Sequence, residues 1–198
     1  MPKSAEKELE ALVKKFKRDR KAIWAAECKK YRSPKRRSDV IDAALGLRDR
    51  DRIQSHQRRV GRKVLRKAQF RIQRVIDEVF AAKKFCDLLQ IIESATWDVR
   101  RFGELAVYDV AHRIGMWKRV WPKFVYLHAG TRVGAQALGV RGKKAHPDQF
   151  CKALQSLEPY QLEDFLCINK EYLQGRASFG RACENIRKVC VQYEAGIC

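Results

Sequence analysis

The 198-residue chain carries 43 Lys and Arg against 23 Asp and Glu, a formal charge of +20, with 45% hydrophobic residues. The apolar share is enough for a true core, and the length fits one domain or one domain plus an arm. Folding gains nothing from such self-repulsion, so a polyanionic partner is the economical reading. Nucleic acid comes before an anionic membrane surface, because no stretch is apolar enough to span a bilayer and no lipid-anchor signal occurs. The opening MPKSAEKELE lacks the apolar run of a signal peptide. An intracellular, cytoplasmic place is therefore expected, nucleoid-associated if the source is bacterial. The seven cysteines are odd in number, widely spaced and without a CxxC pair. That pattern fits a reducing compartment with free, mostly buried thiols, and neither metal nor cofactor is expected.

Residues 5–31 predict a helix in which Leu9, Leu12, Val13, Phe16, Ile23 and Trp24 make one apolar stripe and Ser4 is the candidate N-cap. Lys14, Lys15, Lys17, Arg18, Arg20 and Lys21 fill the other faces. Pro34, in the basic run RSPKRRS, ends that helix. The break divides a basic N-terminal arm, 1–33, from a helical domain, 38–198. A short helix is predicted over Ser38–Leu47, capped by Ser38 and stopped near Gly46.

Gln54–Lys84 predicts one long helix, with Val60, Val64, Ala68, Ile72, Val75 or Ile76, and Val79 inward. Arg59, Lys63, Lys67, Arg71 and Arg74 form a second stripe, with Arg58, Arg62 and Arg66 alongside. From Arg48 to Arg74 there are eleven Arg and Lys against two Asp. The cations from Arg58 to Arg71 have no carboxylate at i+4, and only Arg74 has one, in Glu78. Unpaired cations at helical spacing suit a phosphate track better than a salt-bridged surface. Arg59, Lys63, Lys67 and Arg71 are expected to carry more of the binding than Lys14, Lys15, Lys17 and Lys21.

Phe85–Ser94 predicts a further helix, and Trp97 after it is expected in the core. Phe102–Gly139 is the stretch around which the chain is organised. Tyr108, Asp109, His112 and Arg113 fall on one side of a helix. Val125–His128 is a short, mostly apolar run. Gly130 offers a turn, Thr131 a candidate N-cap, Val133–Leu138 a helix and Gly139 its stop. Lys143, Lys144 and His146 sit in a Gly/Pro/Lys loop. Short helices follow over Gln149–Ser156 and from Pro159, with Leu162, Phe165 and Leu166 inward, and a last one over Ala182–Tyr193. With no repeat and no convincing alternating strand, the expected class is all-α.

The segment from Leu88 to Leu138 resembles the core of helix-hairpin-helix DNA glycosylases of the endonuclease III type. The layout runs from a Leu88–Ser94 helix through an Arg101–Phe102–Gly103 hairpin to a Glu104–Ile114 helix. Trp121–Pro122, Val125–Tyr126–Leu127–His128 and Arg132 follow. The resemblance implies a hairpin whose backbone amides bind one phosphate oxygen, adding Arg101 and Gly103 to the contacts. Arg101 stands where the family has its first Gly, and Glu104 follows the second. Leu105 stands at the place of the lyase Lys and Tyr126 at that of the catalytic Asp. Neither can supply the family's chemistry.

The expected function is thus non-enzymatic, largely sequence-independent DNA binding, double-stranded DNA before RNA. The expected contacts are the α-helical cations Arg58 to Arg74 together with Arg101, Gly103, Lys143 and Lys144. Two other readings use the same residues. Asp109, His112 and His128 would serve a divergent glycosylase or nuclease, as a two-His, one-carboxylate metal set or an acid/base pair. Alternatively, the basic face would dock an acidic protein. The plainer account of the polar cluster is an Asp109–Arg113 ion pair at i,i+4 with each His hydrogen-bonded locally.

Overall fold

The computed structural model describes residues 3–48 and 59–194. Their secondary structure is eleven α-helices, one 3-10 turn and a two-stranded ribbon, so the class is all-α. The chain divides into two compact units. Of the described residues, one unit takes those up to Ile23 together with Lys123–Gln192; the other takes those within Trp24–Pro122 together with Tyr193 and Glu194.

Helix α1, Lys3–Arg32, gives its first part to the first unit and its last part to the second. Leu9, Leu12, Val13 and Phe16 are all buried, and the Phe16 ring meets Phe165 edge-on at 5.2 Å. Arg20, placed on a solvated face by its charge, is also buried and reaches Asp164 at 2.5 Å. The helix begins at Lys3, so Ser4 lies inside it rather than capping it.

The rest of the first unit is built around α7, Ala129–Ala137, packed on α9, Pro159–Ile168. Thr131 falls within α7, and the N-cap is His128, because the helix starts at Ala129. Glycine sets the approach of the two helices. A Cβ on Gly134 would overlap the Leu166 carbonyl, and one on Gly130 would stand 2.9 Å from the Cys167 sulfur. Ahead of α7, β1 (Val125–Tyr126) pairs antiparallel with β2 (Lys144–Ala145), Val125 facing Ala145. Each strand is two residues long, too short for alternation to betray it. Pro147–Gln149 is a 3-10 turn, α8 runs Lys152–Gln155, α10 Lys170–Leu173 and α11 Phe179–Glu194.

The second unit holds α2 (Arg37–Ala44), α3 (Arg62–Gln73), α4 (Ile76–Ala81), α5 (Phe85–Thr96) and α6 (Glu104–Lys118). Helix α6 is enclosed, with Val107, Val110, Ala111, Ile114 and Met116 all buried, and α2 and α5 pack on it. Pro34 breaks the chain as expected, and its carbonyl accepts from Trp117 Nε1 at 2.9 Å. Helix α2 is capped at Arg36, whose guanidinium bonds Asp39 at 3.1 Å, so Ser38 is inside it.

The long helix over 54–84 does not form. Gly61 takes φ +88°, a left-handed conformation costly for other residues, and α3 starts after it. A second break falls at Arg74–Val75 and a third at Ala82–Lys84. The inward residues of α3 are Leu65, Ala68 and Ile72, with Val64 only half-buried. Trp97 is not in the core: it is 85% exposed.

Candidate nucleic-acid interface

Helix α3 has five Arg or Lys and no acidic residue among its twelve positions. Burial of Leu65, Ala68 and Ile72 fixes its rotation, which leaves Arg62, Lys63, Arg66, Lys67 and Arg74 exposed. Phe70 stands in the middle of this cationic face, four residues after Arg66 and four before Arg74, and is 60% exposed. The Arg74 guanidinium lies 5.8 Å from its ring centre. Glu78 is no i+4 partner for Arg74, since the helix stops between them.

Lys67 and Arg71, expected to be unpaired, have a carboxylate after all. Asp98, just beyond α5, takes Arg71 at 2.5 Å and Lys67 at 3.8 Å. The Arg71 hydrogen bond holds the Asp98 carboxyl below its ordinary value. Asp98 is 27 residues from Arg71, so counting i+4 positions could not find it. Arg66 bonds Gln69 Oε1 at 2.9 Å, and Gln69 in turn donates to Asp42. Arg59 is off the line of α3 because Gly61 interrupts the helix. Its carbonyl accepts from Arg101 at 2.9 Å. Arg58 lies outside the described residues.

The 101–104 turn also belongs to the second unit. Arg101 takes φ +74°, a left-handed conformation uncommon for a residue other than glycine. Gly103 caps α6 in an extended conformation open to any residue, and a Cβ there would meet nothing within 4 Å. The backbone therefore does not require that glycine; it leaves open space before α6. Glu104 occupies the first helical position.

Lys143 and Lys144 lie in the first unit and are exposed. Lys144, on β2, sits 5.0 Å from the Phe124 ring centre. The same unit has a surface groove of about 450 Å³ lined by Lys14, Lys17 and Lys152 with Glu10, Val13 and Ser156. Lys17 is tied there to the Ser156 carbonyl at 3.0 Å, and Lys15 pairs with Asp19 at 2.5 Å.

The polar residues of the central stretch serve packing. Asp109 lies 3.7 Å from Arg113, the expected i,i+4 pair. Arg113 donates to the Ala44 carbonyl at 2.8 Å and lies over Tyr31. His112 stacks on Tyr108 at 5.7 Å and meets Trp121 edge-on at 5.9 Å. His128, in the first unit, is buried with Nε2 3.1 Å from Glu163 Oε1, and Thr131 donates to that same oxygen at 2.8 Å. Glu163 carries no signal in the sequence, because both its partners are more than thirty residues away. Among the described residues, no three His, Cys, Asp or Glu are grouped to hold a metal ion. Cys28, Cys86, Cys151, Cys167 and Cys183 form no disulfide; Cys86 is exposed and the other four are half-buried, a correction to the buried thiols expected.

Burial pushes the Glu163 carboxyl above its ordinary value, against the pull of His128. A raised folded value means stability that is full below the unfolded carboxylate pKa and lost as pH rises through the folded one. Glu163→Gln keeps an acceptor for Thr131 and never ionises. It is expected to flatten the fall in stability above about pH 4.5 and to equal or exceed the wild type at neutral pH. Urea unfolding between pH 4.5 and 8 checks this, and parallel curves for the two proteins would refute it.

Compared with known proteins, the chain matches no family model, no curated protein and no solved structure. What the structure defines is an all-helical protein with a strongly cationic helix face in its second unit. No helix among the described residues is long and apolar enough to cross a membrane.

Proposed function

We propose that the protein binds DNA, duplex included, with little regard to sequence. It does so by laying the cationic face of α3 along phosphates, with the Arg101–Gly103 turn adding a contact. One observation carries the reading. In the second unit, α3 turns Arg62, Lys63, Arg66 and Lys67 to solvent on a helix without an acidic residue, within a chain of charge +20. Such a face repels itself in the free protein and is relieved when a polyanion displaces its counter-ions. Phosphate contacts position a protein without reading bases, and Gln69 of α3 is already engaged by Arg66 and Asp42.

The test is a titration of a fluorescent 20-base-pair duplex at several salt concentrations. With about six phosphates engaged, log K is expected to fall against log salt with a slope near roughly −5. An affinity that does not change with salt would overturn the proposal.

A further inference from the structure

Among the described residues, two large apolar side chains are conspicuously exposed, Trp97 at 85% and Phe70 at 60%. Both border the same cations. Phe70 lies within α3, three residues from Lys67 and one from Arg71. Trp97 adjoins Asp98, the residue that those two cations hold. Lys67 also reaches the Asp98 carbonyl at 3.5 Å, so the chain just after α5 is fastened beside the cationic face. One exposed ring alone needs no explanation; two of them bordering the same cations make a surface that offers both apolar faces and positive charge.

We infer that Trp97 and Phe70 stack on unpaired bases, so that DNA with a single-stranded segment is the preferred ligand of this face. The inference rests on the DNA-binding reading and adds the substrate class. Charge complementarity decides the occupant. An apolar groove of another protein would have to desolvate Lys63, Arg66, Lys67 and Arg74 around the rings. A single strand presents phosphates to those cations and π faces to the rings together. In an intact duplex the base faces are already stacked, and the rings find only edges. Arg74 over Phe70 adds a cationic plane to the same platform.

The experiment measures binding of a 20-nucleotide mixed-sequence single strand and of the matching duplex by fluorescence anisotropy at one salt concentration. Wild type, Trp97→Ala, Phe70→Ala and Trp97→Phe are compared. Wild type is expected to favour the single strand about tenfold or more. Each alanine variant is expected to lose roughly 5- to 150-fold on the single strand, the range for removing one base–aromatic stack, and to keep its duplex affinity. Trp97→Phe is expected to retain most of the affinity. The quenching of tryptophan emission that the single strand causes in wild type should shrink in that variant, since the stacked fluorophore is gone. Both side chains are exposed, so the variants fold. Alanine variants that bind the single strand as well as wild type would overturn the stacking while leaving the phosphate reading intact. Absence of binding to either DNA would overturn both. Equal losses on single strand and duplex would also overturn the inference, because they would place the rings at the duplex surface.

Discussion

Replacing Arg62, Lys63, Arg66 and Lys67 together by Gln is expected to weaken DNA binding roughly a thousandfold or more at 0.1 M salt. Each phosphate contact releases close to one counter-ion, so near that concentration each is worth about a factor of eight. The slope of log K against log salt should fall by about four. These four residues differ from the line Arg59, Lys63, Lys67 and Arg71 that spacing alone selects. Gly61 takes Arg59 out of the helix, and Arg71, at 2.5 Å the closer partner of Asp98, is left in place to hold that carboxylate when Lys67, 3.8 Å away, is replaced. All four replaced side chains face solvent, and stability should change by no more than about 0.5 kcal/mol for each. The control is Lys14, Lys17 and Lys152→Gln in the groove of the first unit, where a smaller loss is expected. A larger loss there would move the interface to that groove.

Gly134→Ala is expected to destabilise the protein by about 3 kcal/mol, although helix propensity by itself favours Ala by about 1 kcal/mol. The added methyl would overlap the Leu166 carbonyl, which is backbone and cannot rotate aside. Helix α7 would have to lift from α9, disturbing the packing around Leu162, Phe165 and Leu166, all fully buried. Gly130→Ala meets the Cys167 sulfur, the end of a side chain that can turn, and should cost about 1 kcal/mol or less. Urea unfolding of both variants gives the ranking. Equal costs would show that α7 and α9 part easily, and a gain for Gly134→Ala would show that propensity outweighs contact.

Features set by local spacing are legible in the sequence. The stripe from Leu9 to Trp24, the stop at Pro34, the inward Leu162, Phe165 and Leu166, and the end of α7 just before Gly139 are all properties of neighbouring residues. The same holds for the all-α class and for the cations of α3, because a helix repeats every 3.6 residues and its pattern lies within one short window. The Asp109–Arg113 pair is legible for that reason too.

Tertiary structure alone decided the rest. Whether a helix continues past Gly61 or Arg74 depends on what its two sides find to pack against, and the stripe from Val60 to Val79 is the same in either case. Asp98 reaches Arg71 across 27 residues, and Glu163 reaches Thr131 across 32, separations at which spacing carries no signal. Trp97 reads as a core residue from sequence because large apolar rings are usually inside. Its exposure follows from where α5 ends, with Asp98 drawn to the cations and the ring left facing water. The sequence by itself determined which surfaces are charged and which helices are amphipathic. The fold determined which charges are already neutralised and which rings stay exposed, because those are set by the meeting of distant segments.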